Sequence, residues 1–268
     1  MPEPDSALDL AAYFARIGYA GDRTPSRATL DALHLAHATH IPFENLDILL
    51  GRPIRLDLDS LQAKLVLGRR GGYCFEQNRL FAAVLEALGY AVTPLAARVR
   101  FGTSAVLPRT HMLLRVDVEG SRLLADVGFG VFGVLIPLPL DELAESRQFA
   151  WTYRIARERG LYVLQLRTGD AWADLYAFTL EPQHPADYEM ANHYTSTYPS
   201  SRFVQAPIAQ RSAPDTRKVL RDRTYTEHRG ECVSERTLAD ENELLQVLAD
   251  EFELRFPPGT RFRARGAG

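Results

Sequence analysis

Arg69-Arg70-Gly71-Gly72-Tyr73-Cys74-Phe75-Glu76-Gln77-Asn78 sets a cysteine, one of two in the 268-residue chain, directly behind a glycine pair. Two glycines let a backbone turn sharply and come close to a bound acyl group. Beyond them Phe81, Val84, Leu85 and Leu88 recur at the helical period up to Gly89, so a helix is expected to start near Cys74. The thiol then lies in the first turn. There the unpaired N–H groups and the positive end of the helix dipole favour a thiolate, which is a nucleophile. A buried core cysteine is the competing reading.

A thiol nucleophile needs a base and a group to orient that base. Residues 111–127, HMLLRVDVEGSRLLADV, read as a β-hairpin about a Glu119-Gly120 turn. A two-residue loop pairs Asp117 with Arg122, Val116 with Leu123, Leu114 with Ala125 and Met112 with Val127. One face is apolar throughout. The other carries the Asp117–Arg122 pair, His111 and Asp126, the last two as diagonal neighbours at roughly 7–8 Å. Cys74, His111 and Asp126 in that relation form the nucleophile, base and orienter of a thiol triad. A structural alternative stays open, in which Asp126 caps the Gly128-Phe129-Gly130 turn and His111 is an ordinary strand residue.

The elements that must position these residues fall into three compact parts sharing one site. Residues 6–17 and 26–38 carry helical apolar spacing with Ser6 and Ser26 as caps, and a third segment from about Ser60 precedes the cysteine helix. Strands are expected near 91–101 and 111–127, then at 149–157, 161–168 and 171–180, with turns at Arg159-Gly160 and Thr168-Gly169-Asp170. Residues 217–236 look strand-forming, and Ala239 to Phe252 reads as an amphipathic helix. The class is α+β, divided as 1–90, 91–200 and 201–268.

Composition agrees with a compact enzyme: 46% hydrophobic, 24% charged, formal net charge −3. Such a balance lacks the basic field of a nucleic-acid binder. No apolar stretch of about 18 or more residues is present to cross a membrane, and the MPEPDSALDL start has no signal-peptide pattern. Two cysteines make no disulfide framework, and a free Cys74 points to a reducing compartment, the cytoplasm.

Other constellations read more blandly. His34, His37 and His40 are spaced by three, which carries them around a helix instead of keeping one tight face, so surface or core histidines are expected before a metal site. Glu76 reads as a dipole partner or an ion-pair partner of Arg69 or Arg70. His184 and His193 read as loop or lid residues. Arg109, two residues before His111, either meets a phosphate of a cosubstrate or simply faces solvent.

Several segments, in order, resemble the arylamine N-acetyltransferase family. They are His40-Ile41-Pro42-Phe43-Glu44-Asn45-Leu46, the glycine–cysteine run through Asn78, Thr110-His111-Met112-Leu113-Leu114 and Asp126-Val127-Gly128-Phe129-Gly130. Phe178-Thr179-Leu180 and the stretch from Asn192 to Phe203 follow the same pattern, while Gly259-Thr260-Arg261-Phe262 matches loosely. The resemblance implies an N-terminal helical bundle, a central β-barrel and a C-terminal α/β lid, with a cysteine-protease-like Cys74–His111–Asp126 triad assembled across the first two. It implies acetyl-coenzyme A as cosubstrate, no permanently bound cofactor or metal, and an arylamine, hydrazine or related acceptor, as in xenobiotic metabolism. Transfer would be ping-pong through acetyl-Cys74. Phe43, Thr110, Phe129, Tyr194 and Phe203 become the substrate-binding candidates, with oxyanion donors expected from the Cys74 N–H and the Gly128-Phe129-Gly130 turn. A cysteine hydrolase with the same triad, an amide synthase of the same broad family and a non-catalytic binding protein remain the alternatives.

Overall fold

The computed structural model describes residues 8–130, 132–230 and 232–264. Helix α1 (Leu10–Ile17) starts at Asp9, whose carboxylate accepts from the Ala12 N–H at 2.9 Å. Ser6, expected as its cap, lies outside the described residues. Helix α2 (Arg27–His40) starts at Ser26 as expected, the hydroxyl accepting from the Thr29 N–H at 3.1 Å. A two-residue strand β1 (Phe43–Glu44) follows, then α3 (Leu46–Leu49) and α4 (Leu58–Leu61), which continues as a π-helical turn over Gln62–Leu67.

Helix α5 (Cys74–Ala87) begins at the cysteine and buries Phe81, Val84 and Leu85. The close approach that the glycine pair permits is to this chain's own atoms. A Cβ on Gly71 would come within 2.0 Å of the Pro42 carbonyl oxygen, and one on Gly72 within 2.7 Å of a Glu76 carboxylate oxygen. The Gly72 carbonyl accepts from Glu44 N–H at 3.1 Å, which ties the loop before Cys74 to β1.

Eight strands form one antiparallel, barrel-like sheet: β2 (Ala91–Val99), β3 (His111–Val118), β4 (Ser121–Ala125), β5 (Leu138–Pro139), β6 (Ser146–Gln148), β7 (Trp151–Glu158), β8 (Leu161–Thr168) and β9 (Ala171–Phe178). Their order is β5-β4-β3-β2-β9-β8-β7-β6. The β3–β4 hairpin has the expected register, with Asp117 opposite Arg122, Val116 opposite Leu123 and Leu114 opposite Ala125. Positive φ at Glu119 and Gly120, 52° and 76°, supplies the turn whose twist suits a two-residue hairpin.

Two details differ from expectation. The ladder stops at Leu114–Ala125, and Met112 and Val127 are joined through the Asn78 side chain instead of pairing directly. The face expected to be polar is buried near His111 as well, because Leu113 and Leu124 enter the barrel core with Leu95, Leu164 and Phe178. Met112, Leu114, Val116, Leu123 and Ala125 pack on the helical layer. At the turn end Asp117 and Arg122 face each other in register but take other ion-pair partners, Arg115 and Asp141, and the wall beside His111 is buried on both faces.

The stretch around His184 and His193, two residues read as loop or lid, contains helix α6 (Pro185–Thr197) and is followed by the short α7 (Arg202–Gln205). His184 is the residue before α6 and His193 lies within it. Pro185 at the first helical position and the Asp187 carboxylate, accepting from the His184 N–H at 2.8 Å, start this helix. Only Tyr188 and Thr195 of it are buried, so its sequence carries little apolar periodicity.

A second antiparallel sheet has the order β1-β10-β11-β12-β13, from β10 (Ile208–Ser212), β11 (Thr216–Arg221), β12 (Thr224–Arg229) and β13 (Cys232–Thr237). Helix α8 (Glu241–Phe252) packs Leu244, Val247, Leu248 and Phe252 on Ala209, Leu220 and Tyr225. Among the described residues no helix is long and apolar enough to cross a membrane.

Candidate active site

Cys74 is the first residue of α5 and is 5% exposed. Its Sγ lies 3.6 Å from the carbonyl oxygen of Thr110, the residue that delivers the chain into β3. His111 opens that strand. Its Nε2–H donates to Asp126 Oδ2 at 2.7 Å, and its ring is within hydrogen-bond reach of the Cys74 thiol. The hairpin register therefore does what the diagonal spacing on one face implied, and α5 brings the cysteine close to the imidazole. Because Nε2 is committed to Asp126, Nδ1 is the nitrogen left to exchange a proton with sulfur.

The electrostatics follow from burial and pairing together. Burial alone would push the His111 imidazolium down, but the Asp126 carboxylate, its hydrogen bond and the Cys74 sulfur outweigh it and lift His111 to about 10. Burial alone would likewise push the Asp126 carboxyl up, yet His111, Asn78 and the Gly128 N–H hold it below the usual carboxylate range. A carboxylate beside a charged imidazole is thus the ground state of this pair at neutral pH.

Three further side chains hold the pair, and none was assigned a role from sequence. Asn78 Nδ2–H₂ donates to Asp126 Oδ1 at 2.9 Å and to the Met112 carbonyl at 2.7 Å, while its Oδ1 accepts from Val127 N–H at 3.1 Å. One carboxamide stands where the next rung of the hairpin would be. Its signal was available, since a polar amide four residues beyond Cys74 shares that residue's helix face. His34 Nε2 lies 3.0 Å from the Asp126 backbone nitrogen. Tyr176 packs its ring 4.8 Å from the His111 ring, and Phe129 lies 5.1 Å from it on an edge. The Gly128 N–H donates to Asp126 Oδ1 at 2.9 Å, so that amide of the Gly128-Phe129-Gly130 turn is committed and is not an oxyanion donor.

The other candidates divide. Phe43 and Phe203 meet at 6.0 Å between ring centroids, and Phe203 stands edge-on to Tyr73, the residue before the cysteine, at 5.8 Å. Phe129 reaches His111 and Thr110 reaches Cys74, as described above. Tyr194 stacks on Tyr198 at 4.5 Å, on α6. Arg109 is paired with Glu181 at 3.0 Å. Glu76 accepts from the Tyr73 N–H at 3.1 Å, capping α5, and its ion-pair partner is Lys64 at 2.7 Å, in place of Arg69 or Arg70. Burial opposes the Lys64 charge, but Glu76, Glu44 and Asp47 together hold its pKa above the ordinary lysine value. A cavity of about 570 Å³ opens on this ion cluster, between Arg52, Lys64, Arg70 and Glu76, away from the thiol. Among the described residues no three His, Cys, Asp or Glu side chains converge as a metal ion requires.

Comparison with known proteins gives one family throughout. A family model described as N-acetyltransferase matches residues 27–259. The arylamine N-acetyltransferase of Escherichia coli K12 is 40% identical over 90% of this chain and 87% of its own length. Among solved structures, the Nocardia farcinica arylamine N-acetyltransferase is 44% identical, covers 93% of this chain and 90% of its own, and superposes with a TM-score of 0.89. The Mycobacterium marinum arylamine N-acetyltransferase in complex with CoA is 35% identical, covers 91% and 92%, and gives 0.87.

Proposed function

The chain belongs to the arylamine N-acetyltransferase family and is an acyltransferase, and from that premise we propose that it moves an acetyl group from acetyl-coenzyme A to an arylamine or arylhydrazine through a thioester on Cys74. The observation that carries the reading is the burial of Cys74, His111 and Asp126 together at one end of the barrel-like sheet, with His111 bonded to Asp126 and its charge supported by the Cys74 sulfur. The donor follows from the CoA complex of the Mycobacterium marinum relative.

Exchange of one thioester for another is nearly isoenergetic, so the first half-reaction asks for a thiolate more than for a strong acid. The Cys74 sulfur attacks the acetyl carbonyl, a new C–S bond forms, and the old one breaks as coenzyme A leaves with a proton from the His111 imidazolium. The Cys74 N–H, at the start of α5 where no intrahelical acceptor exists, is our candidate for the oxyanion. In the second half the amine attacks acetyl-Cys74 and passes its proton to His111, and the Cys74 thiolate leaves unchanged. Asp126 keeps the ring oriented and its charge compensated in both halves.

Phe43, Phe129, Tyr194 and Phe203, with Thr110, form the proposed acceptor and donor contacts, the rings offering stacking area and excluding the water that would hydrolyse the intermediate. The proposed division of labour is a bundle of residues 1–90 carrying the nucleophile, a barrel of 91–200 carrying base and orienter, and an α/β lid of 201–268. The free thiols of Cys74 and Cys232 suit a reducing compartment, and we place the enzyme in the cytoplasm.

Intact mass after mixing with acetyl-coenzyme A alone tests the reading. One acetyl group is expected, absent in Cys74→Ala and removed by an aryl amine or hydrazine. No adduct on the unaltered chain would point instead to an amide synthase, a hydrolase or a different acyl donor.

A further inference from the structure

His34 lies on the inward face of α2 with Leu30, Leu33 and His37, and is fully buried. Its ring spans the two ends of the segment that follows the hairpin. Nε2 is 3.0 Å from the backbone nitrogen of Asp126, and Nδ1 is 3.0 Å from the carbonyl oxygen of Leu135. A peptide N–H can only donate, so Nε2 must be the bare, accepting nitrogen; a carbonyl can only accept, so Nδ1 carries the hydrogen. The two contacts demand the same tautomer, and they demand a neutral ring.

The surroundings agree. Burial first, then Arg27, favour the neutral form over the opposing pull of Leu135 and Asp126, and bring His34 to about 4. His37 on the same helix is buried and neutral too, at about 3, and Phe81 of α5 meets the His34 ring edge-on at 5.7 Å. No second proton has a place to go on Nε2, which faces an N–H.

We propose that His34 is a positioning residue for acetyl transfer, acting by accepting the Asp126 N–H and so fixing the peptide from which the triad carboxylate projects. The need for it comes from topology. Asp126 is the first residue past the end of β4, beyond the last ladder pair at Leu114–Ala125, so no neighbouring strand holds its backbone. Asn78, Gly128 and His111 fix the carboxylate oxygens, and His34 fixes the main chain. With both ends of the group held, the Asp126–His111 bond keeps its length while His111 gains and loses protons towards Cys74. The same ring holds Leu135, so the turn carrying Phe129 is closed at both ends by one side chain. This inference rests on the triad reading above.

Two substitutions separate the two contacts. His34→Gln places an acceptor near the Nε2 position and gives up Leu135; His34→Asn places a donor near the Nδ1 position and gives up Asp126. The measurements are kcat and KM for acetyl transfer, and the rate of Cys74 alkylation by iodoacetamide across pH 5 to 10.5. His34→Asn is expected to lose at least about tenfold in kcat with KM for acetyl-coenzyme A within about twofold, because a buried N–H is left unpaired next to the carboxylate that must stay fixed. Its alkaline limb should move to lower pH, as His111 loses part of the support that raises it, while His34→Gln keeps the limb and most of the rate. A His34→Asn chain with lower thermal stability but unaltered kcat and limb overturns the proposal, since a purely structural histidine gives that result.

The ¹⁵N spectrum of the unaltered chain keeps the proposal falsifiable even if His34→Asn does not fold. A bare Nε2 and protonated Nδ1 between pH 5 and 9 are expected, and a protonated Nε2 overturns the inference. Failure of the acetyl-transfer reading is distinguishable, because it appears as an unaltered chain that takes no acetyl group at all.

Discussion

Gly128 packs directly on the backbone of Cys74: a Cβ there would lie 2.7 Å from the Cys74 Cα and 2.6 Å from Asn78 Nδ2. Neither atom is the end of a free side chain, so relief must come from moving the turn away from Cys74. Gly128→Ala is therefore expected to cost about 1–3 kcal/mol of stability, the usual range for overpacking a dense core. Acetylation of Cys74 should slow by more than that stability loss suggests, because the Gly128 N–H also holds Asp126. Urea unfolding alongside single-turnover acetylation gives both numbers, and an alanine variant with unaltered acetylation would show that the contact is slack.

Removing the Asn78 carboxamide unmakes three hydrogen bonds at once. Asn78→Ala leaves the Met112 carbonyl, the Val127 N–H and one Asp126 oxygen short of a partner, at about 1–3 kcal/mol for each buried group that water does not reach. Asn78→Asp should be worse for activity despite its similar shape, since it sets a second carboxylate against Asp126. The check is the order of the two variants in acetylation rate, and alanine falling below aspartate would contradict the donor role.

The buried histidines give stability a pH dependence on both sides. His34 and His37 fold neutral at about 4 and about 3, below their unfolded value, so their contribution is present above about pH 6.5 and lost as pH falls. The two histidines alone contribute up to about 2.7 kcal/mol per pH unit between pH 6 and 4.5, and buried Glu76, raised to about 7 and so protonated in the fold there, offsets about half of it. His111 has the opposite sign. Raised to about 10, it contributes fully below about pH 6.5, and the contribution declines as pH climbs through 10. Chemical unfolding at intervals from pH 4.5 to 10.5 should trace a dome, and a flat acid side would refute neutral burial.

Phe203→Ala tests the acceptor side without disturbing the first half-reaction. Phe203 stands edge-on to Tyr73 and near Phe43, and losing one aromatic contact of about 0.5–1.5 kcal/mol should raise KM for an aryl amine about two- to tenfold. The acetyl-Cys74 burst from acetyl-coenzyme A should persist. An unchanged KM with a diminished burst would move Phe203 to the donor side.

The parts of the site that were legible in sequence are those set by short-range rules. The hairpin register follows from one turn and from side-chain alternation, so His111 and Asp126 could be placed on one face from residues 111–127 alone. The cysteine's position at a helix start follows from apolar period and a glycine pair. What escaped was held by groups far apart in the chain: His34 reaches Asp126 across 92 residues and Asn78 reaches it across 48, and although Asn78 shares the helix face of Cys74, no local pattern records the partner it meets. Helix α6 escaped for a different reason. It buries only Tyr188 and Thr195, so it offers almost no apolar stripe, and its start is written in Pro185 and Asp187 instead. Strand β10 was missed because its edge partner, Phe43–Glu44, comes from the far end of the sequence.

That last pairing bears on when the enzyme becomes an enzyme. Phe43 and Glu44 stand opposite Gln210 and Ala209, Phe43 bridges to Gly72 just before the thiol, and the Ile208 N–H donates to Asn45 Oδ1 across 163 residues. Contacts of such separation form late, after the loop entropy between them has been overcome. On the ribosome, Cys74 would emerge long before β10 exists to brace the loop that presents it. A nascent chain therefore carries its thiol through most of its synthesis without that frame, and acetylation competence should switch on late and abruptly, once β10 and the strand and helix that pack on it, β11 and α8, have cleared the exit tunnel.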